Sequence, residues 1–274
     1  MDFIPDYDIA RKDVYRTVFG TYSSAYIVTN EYLPPAMNCM PENCENALVV
    51  AASGDHPLFC SLSGAKNVDT FDISYNAKCI MDIKVAALNS LNYLEYMRFL
   101  TDLYNASLRI TNVKHLDTVL SNLNKTERDY IYALKDYPIF ARKSVPLYSM
   151  SLLKESEYYK LREHITKPYN FIMSDICKLG KKLTKSYDFM HLSNVFDYVR
   201  GADYENVILS LMEHVKPGGR IVTQFFVEGN DQIFGFYMAE LVKNYKNWGF
   251  DKKVINFNEY AYFKNGICVL ERSR

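Results

Sequence analysis

A chain of 274 residues, with 32 basic side chains balanced by 32 acidic ones, is long enough for one large α/β domain with additions. Zero net charge argues against a nucleic-acid partner, which needs a strongly basic face. Six cysteines (Cys39, Cys44, Cys60, Cys79, Cys177, Cys268) fall mostly in apolar runs, without a C-x-x-C pair or zinc-spaced histidines. They predict reduced, buried thiols in a cytoplasmic protein and no metal site.

The start, Met1-Asp2-Phe3-Ile4-Pro5-Asp6, is acidic where an export signal would be basic and then apolar. No run approaches the ~20 apolar residues of a membrane span. Residues 1–46 read as a helical lead-in: Val18, Tyr22 and Tyr26 have helical spacing, and Pro34-Pro35 ends the helix. Such a segment covers a sheet edge or serves as a lid, with Tyr22 and Tyr26 as lid or acceptor contacts.

The chain is organised around Ala47-Leu48-Val49-Val50-Ala51-Ala52, an apolar strand that stops at the turn Ser53-Gly54-Asp55. A short helix over Pro57–Leu62 follows, then a second strand, Asn67–Asp72, ending in a carboxylate. That is how a nucleotide-binding α/β half begins, the carboxylate being placed to accept both ribose hydroxyls. Gly54 stands alone where a dinucleotide fingerprint has three glycines, so a pyrophosphate ligand is disfavoured.

Ser74 is positioned as an N-cap before apolar Ile80, Ile83, Ala87 and Leu91, spaced three and four apart. Asn92 with Glu95 is a capping box that restarts a helix through Leu103, and Asn124-Lys125-Thr126-Glu127 is another cap signal. Residues 105–165 exceed a simple crossover and form a helical insertion. Its basic side chains (Lys114, Lys125, Arg128, Lys135, Arg142, Lys143) read first as a solvated face and second as a peripheral membrane contact.

Further strands fall at Phe171–Ile176, containing Asp175, and at Tyr187–Leu192, running into Ser193-Asn194. A helix over Tyr204–Val215 is stopped by Lys216-Pro217-Gly218-Gly219, and Arg220–Phe226 is a fifth strand. Residues 231–247 predict a helix. Glu259–Phe263 and Ile267–Glu271 predict a closing hairpin turned at Asn265-Gly266. His191, inside a strand, reads as a core group rather than a base. Ser193 and Asn194 stand at the carboxyl edge where open sheets place ligands, though either also serves as a helix cap.

This order of strand-helix units, with its Pro-Gly-Gly step and closing hairpin, resembles the class I S-adenosylmethionine (SAM) dependent transferases. Within them, three stretches resemble the betaine-lipid synthase group, which moves the 3-amino-3-carboxypropyl chain of SAM onto diacylglycerol. They are Ala52-Ser53-Gly54-Asp55-His56; Phe71-Asp72-Ile73-Ser74-Tyr75-Asn76-Ala77 with Lys84 in the next helix; and Leu192-Ser193-Asn194-Val195-Phe196-Asp197-Tyr198. The likeness spans roughly residues 47–225 without the insertion.

The resemblance implies an α/β, Rossmann-like class I methyltransferase fold over 47–274, its mostly parallel seven-stranded sheet ending in an antiparallel hairpin. It implies SAM as cofactor, with Ala52, Ser53, Gly54 and Asp55 at the methionine end, Asp72 and Ile73 at the ribose, and Asp175 and Ile176 at the adenine. Ser193, Asn194 and Asp197 become the candidates for the reacting end, with a small-molecule or lipid acceptor bearing a hydroxyl or amine. Aminocarboxypropyl transfer is the first expectation and small-molecule methyl transfer the alternative. A non-catalytic Rossmann-like binding protein is a third reading. A sulfonium cofactor carries no phosphate, so a single glycine suffices.

Overall fold

In a computed structural model of the chain, the described residues are 15–17, 20–22, 25–29, 31–105, 113–133, 140–141, 152–198, 204–227, 249–257 and 264–273. The elements begin with strands β1 (Tyr15–Thr17), β2 (Gly20–Tyr22) and β3 (Ala25–Tyr26), then α1 (Pro34–Met37), β4 (Asn46–Val50), α2 (Asp55–Leu62) and β5 (Asn67–Asp72). Helices α3 (Tyr75–Ser90), α4 (Tyr93–Asn105), α5 (Leu116–Leu120) and α6 (Lys125–Ala133) follow, then β6 (Phe140–Ala141) and α7 (Glu155–His164). The remainder is β7 (Asn170–Met173), α8 (Ile176–Leu179), β8 (Tyr187–His191), α9 (Tyr204–Met212), β9 (Val215–Val227), β10 (Phe250–Phe257) and β11 (Lys264–Arg272). The chain gathers into two compact units, one of Met1–Asn30, Ala51–Leu58 and Ser74–Tyr169, the other of Glu31–Val50, Phe59–Ile73 and Asn170–Arg274.

The second unit holds a seven-stranded sheet in the order β10-β11-β9-β8-β4-β5-β7. From β9 to β7 every pairing is parallel, while β11 runs antiparallel to both β9 and β10. Ala47, Leu48 and Val49 are wholly buried, which is why central β4 reads as a continuous apolar run instead of an alternation. From β4 the chain builds outward through β5 and β7, then returns to the other flank of β4 as β8 and β9. The order therefore reverses between β4 and β8, and it is at such a reversal that open α/β sheets receive ligands, beyond the carboxyl ends of the strands. This is the Rossmann-like class I methyltransferase fold expected from the order of elements.

Two carboxylates of this unit are each held by several donors. Asp69 accepts from the Tyr187 hydroxyl at 2.8 Å and Asn170 Nδ2 at 3.1 Å, and pairs with Lys185 at 2.7 Å. Asp188 takes the backbone amides of Glu45 (3.0 Å) and Asn46 (2.9 Å) and the Lys216 ammonium (2.9 Å), tying the entry of β4 to β8 and β9. Burial acts to raise the Asp188 carboxyl, but the Asn46 amide and Lys216 outweigh it and hold the group below the usual carboxylate range.

The first unit is built on α3, which is buried well beyond the predicted stripe of Ile80, Ile83, Ala87 and Leu91: Asn76, Asp82 and Lys84 are buried too. Each polar side chain has a partner within the unit. The Tyr130 hydroxyl of α6 donates to Asn76 Oδ1 at 2.8 Å. Lys78 bridges Asp82, one turn along, and Glu127 of α6. Tyr158 of α7 donates to the carbonyls of Leu88 (3.0 Å) and Leu91 (2.7 Å), where α3 gives way to α4. The capping box is present in both directions, Glu95 N to Asn92 Oδ1 and Asn92 N to Glu95 Oε2, each at 3.0 Å, and Glu127 N is capped by Asn124 at 2.9 Å.

Four expectations are corrected. The predicted lead-in helix around Val18–Tyr26 is replaced by strands: β1 and β2 pair antiparallel, and β3 pairs parallel with β6. The Pro34-Pro35 pair opens α1 instead of closing a helix, because a first-turn residue needs no amide hydrogen bond. Lys216-Pro217-Gly218-Gly219 lies inside β9, where the register against β8 jumps from Tyr187↔Val215 to Phe189↔Arg220, making a bulge that a proline without N–H can occupy. Asn265-Gly266 is likewise no turn: both residues pair within the β10–β11 ladder, opposite Phe257 and Asn256. The predicted strand Glu259–Phe263 and helix 231–247 lie outside the described residues. Among the described residues no helix is long and apolar enough to cross a membrane, and no cluster of His, Cys, Asp and Glu could hold a metal ion.

Candidate functional site

The turn that leaves β4 is tight and close to α3. Gly54 N bonds Ala51 O at 2.7 Å, Ala52 adopts φ +44° and Gly54 φ +82°. A Cβ on Gly54 would lie 2.8 Å from the Met81 Cα and 3.3 Å from Lys84 Cδ, so only glycine gives both the left-handed backbone and the approach to the helix. Beneath this turn Asp55, 4 % exposed, opens α2 with its carboxylate fully engaged. Oδ2 accepts from Ser53 Oγ (2.8 Å) and the Thr29 amide (2.7 Å), and Oδ1 meets the Lys84 ammonium at 2.5 Å. Lys84 is wholly buried. Burial draws its ammonium below the usual lysine range, while the Asp55 charge acts the other way. Asp55 is thus held as a strut inside its own unit, a different task from the ligand contact implied by the resemblance.

In the sheet unit, Asp72 ends β5, half-buried, and its carbonyl accepts from the Ser174 amide at 2.9 Å, which draws the ends of β5 and β7 together. Ile73, next in the chain, is 39 % exposed, a large apolar side chain open to solvent. Asp175 caps α8, its Oδ1 accepting from Cys177 N at 2.8 Å. Ile176 is buried in that helix. The predicted residues Asp72, Ile73 and Asp175 therefore all stand at the carboxyl ends of two paired strands.

At the end of β8, Ser193 takes φ +55°, a conformation that costs a non-glycine residue ~1–2 kcal/mol. Its carbonyl accepts from Gln224 N and Thr223 Oγ1, both at 2.9 Å. Its hydroxyl donates to Glu31 Oε1 at 2.5 Å and lies 3.3 Å from Asn194 Oδ1. Glu31 is 2 % exposed and Ser193 6 %, whereas Asn194 is half-buried. The Asp197 side chain lies outside the described residues, as do those of Tyr22 and its neighbours. His191 is wholly buried beside Gln224, Nε2 to Oε1 at 3.1 Å. Gln224 Nε2 donates to Tyr32 O at 3.2 Å, which orients its Oε1 to accept from His191, so the histidine is the core group its strand position suggested.

Glu31 had no signal in the sequence: it stands in Asn30-Glu31-Tyr32-Leu33-Pro34, outside any periodic segment. Lys84 was visible within the second stretch, but its role as counter-ion to Asp55 was not.

No protein-family model matches the sequence, and no curated protein matches it. Solved structures with a similar arrangement include the N-methyltransferase NodS from Bradyrhizobium japonicum WM9, at 8 % identity, TM-score 0.45, over 88 % of this chain and 92 % of that one. Magnesium protoporphyrin IX methyltransferase (ChlM) from Synechocystis PCC 6803 with bound SAM is similar at 12 % identity, TM-score 0.42, over 84 % and 70 %. An O-methyltransferase family protein from Burkholderia thailandensis is similar at 10 % identity, TM-score 0.44, over 89 % and 57 %.

Proposed function

We propose that the chain is a SAM-dependent group transferase. The observation that carries this reading is the strand order itself, with acidic side chains at the carboxyl ends of β5 and β7 next to the reversal at β4 and β8. Asp72 accepts the ribose hydroxyls, since an ionised carboxylate is a hydrogen-bond acceptor only. Ile73 covers the sugar and base. Asp175 uses the oxygen not occupied by its cap to accept from the adenine amine, beside Ile176. Ser193 and Asn194 face the acceptor, with Asp197 as the further candidate there.

The particular activity we infer is methyl transfer to a hydroxyl or amine of a small acceptor. Aminocarboxypropyl transfer rested on the three motif-like stretches, and the lysine of the second, Lys84, is accounted for by its buried pairing with Asp55. In either reaction the sulfonium already activates its carbon, and the protein's work is alignment and exclusion of water. Residues 1–46 as a lid and 105–165 as an insertion remain part of this proposal, as does a cytoplasmic location without nucleic acid.

The sulfur product decides among the readings. Incubation with SAM and candidate acceptors yields S-adenosylhomocysteine (SAH) for methyl transfer and methylthioadenosine for aminocarboxypropyl transfer. In calorimetry, Asp72→Ala lowers SAM affinity by about tenfold or more, the worth of a charge-assisted pair of hydrogen bonds. Absence of SAM binding by the native chain would overturn the transferase reading in favour of a non-catalytic fold.

A further inference from the structure

The end of β8 fixes the chemistry of what meets it. A serine hydroxyl has one hydrogen to donate and two lone pairs to accept with. At Ser193 that hydrogen is directed at the Glu31 carboxylate, 2.5 Å away, with Asn194 Oδ1 a second acceptor at 3.3 Å. Both neighbours of the hydroxyl accept, so its own remaining capacity is to accept. The strained φ of Ser193 is held by Gln224 N and Thr223 Oγ1 on its carbonyl, and strain of this kind persists only where the surrounding structure over-determines it.

We propose that Glu31 is a positioning residue that turns the Ser193 hydroxyl into a hydrogen-bond acceptor facing the transferred group, restricting the acceptor substrate to nucleophiles bearing N–H or O–H. This rests on the SAM-transferase reading above. In the reaction the nucleophile's lone pair forms the bond to the methyl carbon while the carbon–sulfur pair goes to sulfur. The nucleophile's proton passes to Ser193 Oγ as the serine's own proton moves to Glu31. The products are SAH, the methylated acceptor and a neutral Glu31 carboxyl that later returns its proton to water, so charge and atoms balance. A tertiary amine or a thioether has no proton to give and is a poor acceptor here.

The test needs no knowledge of the natural acceptor. Sinefungin carries an amine-bearing carbon where SAM has its methyl-bearing sulfur, so it offers an N–H donor at the transferred position; SAH offers nothing there. Calorimetry of the native chain should show sinefungin binding about tenfold tighter than SAH, the worth of one charge-assisted hydrogen bond. Glu31→Gln, nearly isosteric, and Ser193→Ala should each bring the two ligands within about twofold. Ser193→Ala keeps the carboxylate, so loss of preference in that variant separates a contact through the hydroxyl from a general effect of charge, and it carries the test if Glu31→Gln does not fold. A native chain with no preference, or a preference unchanged in the folded variants, overturns the proposal while leaving the transferase reading standing. Failure of SAM, SAH and sinefungin all to bind overturns both.

Discussion

Two turns, one following β4 and one following β8, are built alike and used differently. Each bends through a non-glycine residue in the left-handed region, Ala52 at +44° and Ser193 at +55°. Each holds a serine hydroxyl on a buried carboxylate, Ser53 on Asp55 and Ser193 on Glu31. In the first turn serine and carboxylate are two residues apart, and the lysine ammonium of α3 sits against the same carboxylate. In the second the carboxylate arrives from 162 residues earlier in the chain. The first is a strut whose serine is supplied locally and whose charge is balanced by a lysine of the next helix. The second is a meeting of distant segments that gives a hydroxyl a direction.

The largest effect should come from the strut. Lys84→Met leaves Asp55 charged and buried without its counter-ion and is expected to destabilise the fold by ~3–5 kcal/mol in denaturant unfolding, with the double variant Asp55→Asn, Lys84→Met recovering part of the loss. A double variant as unstable as the single one would show that the ion pair is not what holds the first turn.

At the second turn the strain can be separated from the hydrogen bond. Ser193→Ala and Ser193→Gly both remove the hydroxyl, but only glycine accepts φ +55° without cost, so the glycine variant should be more stable by ~1 kcal/mol. Equal stability would mean that Ser193 relaxes to an ordinary backbone once its bond to Glu31 is gone.

Asp82 supplies a third buried carboxylate, remote in role from both turns. Burial, opposed by the Lys78 ammonium and reinforced by Glu127, pushes its carboxyl up to about 7 from an ordinary 3.8. The folded state therefore holds this proton more tightly than the unfolded chain. Its contribution is full below about 4 and is lost as pH rises through about 7. Thermal melts should show the native chain gaining stability between pH 8 and pH 6, a slope that Asp82→Asn flattens. An unchanged slope in that variant would assign the proton elsewhere. The Lys78 ammonium, which bridges Asp82 and Glu127, already opposes burial in that value, and the change read between pH 8 and pH 6 is on the order of 1 kcal/mol.

Much of this could be anticipated because it is local. The apolar run of β4, the boundaries of β5, the Asn92–Glu95 capping box and the Asn124 cap follow from neighbouring residues and were legible as such. Where a local pattern has two physical solutions, the sheet selects between them: Pro-Gly-Gly is a bulge in β9 and Asn-Gly a rung of β11, because strand pairing across the sheet outweighs the turn preference of those residues. Tyr22 and Tyr26, which carried part of a helical spacing, lie instead in the β1–β2 and β3–β6 pairings.

By itself the sequence determined the succession of β4, β5, β7, β8, β9 and β11, the single-glycine turn and the acidic residues at the ends of β5 and β7, since each is a property of a short stretch. Only the tertiary structure decided that Asp55 answers to Lys84 and Thr29 and that Glu31 reaches Ser193. Those pairings depend on which distant segments are buried against one another, and a buried charge takes whatever partner the packing brings.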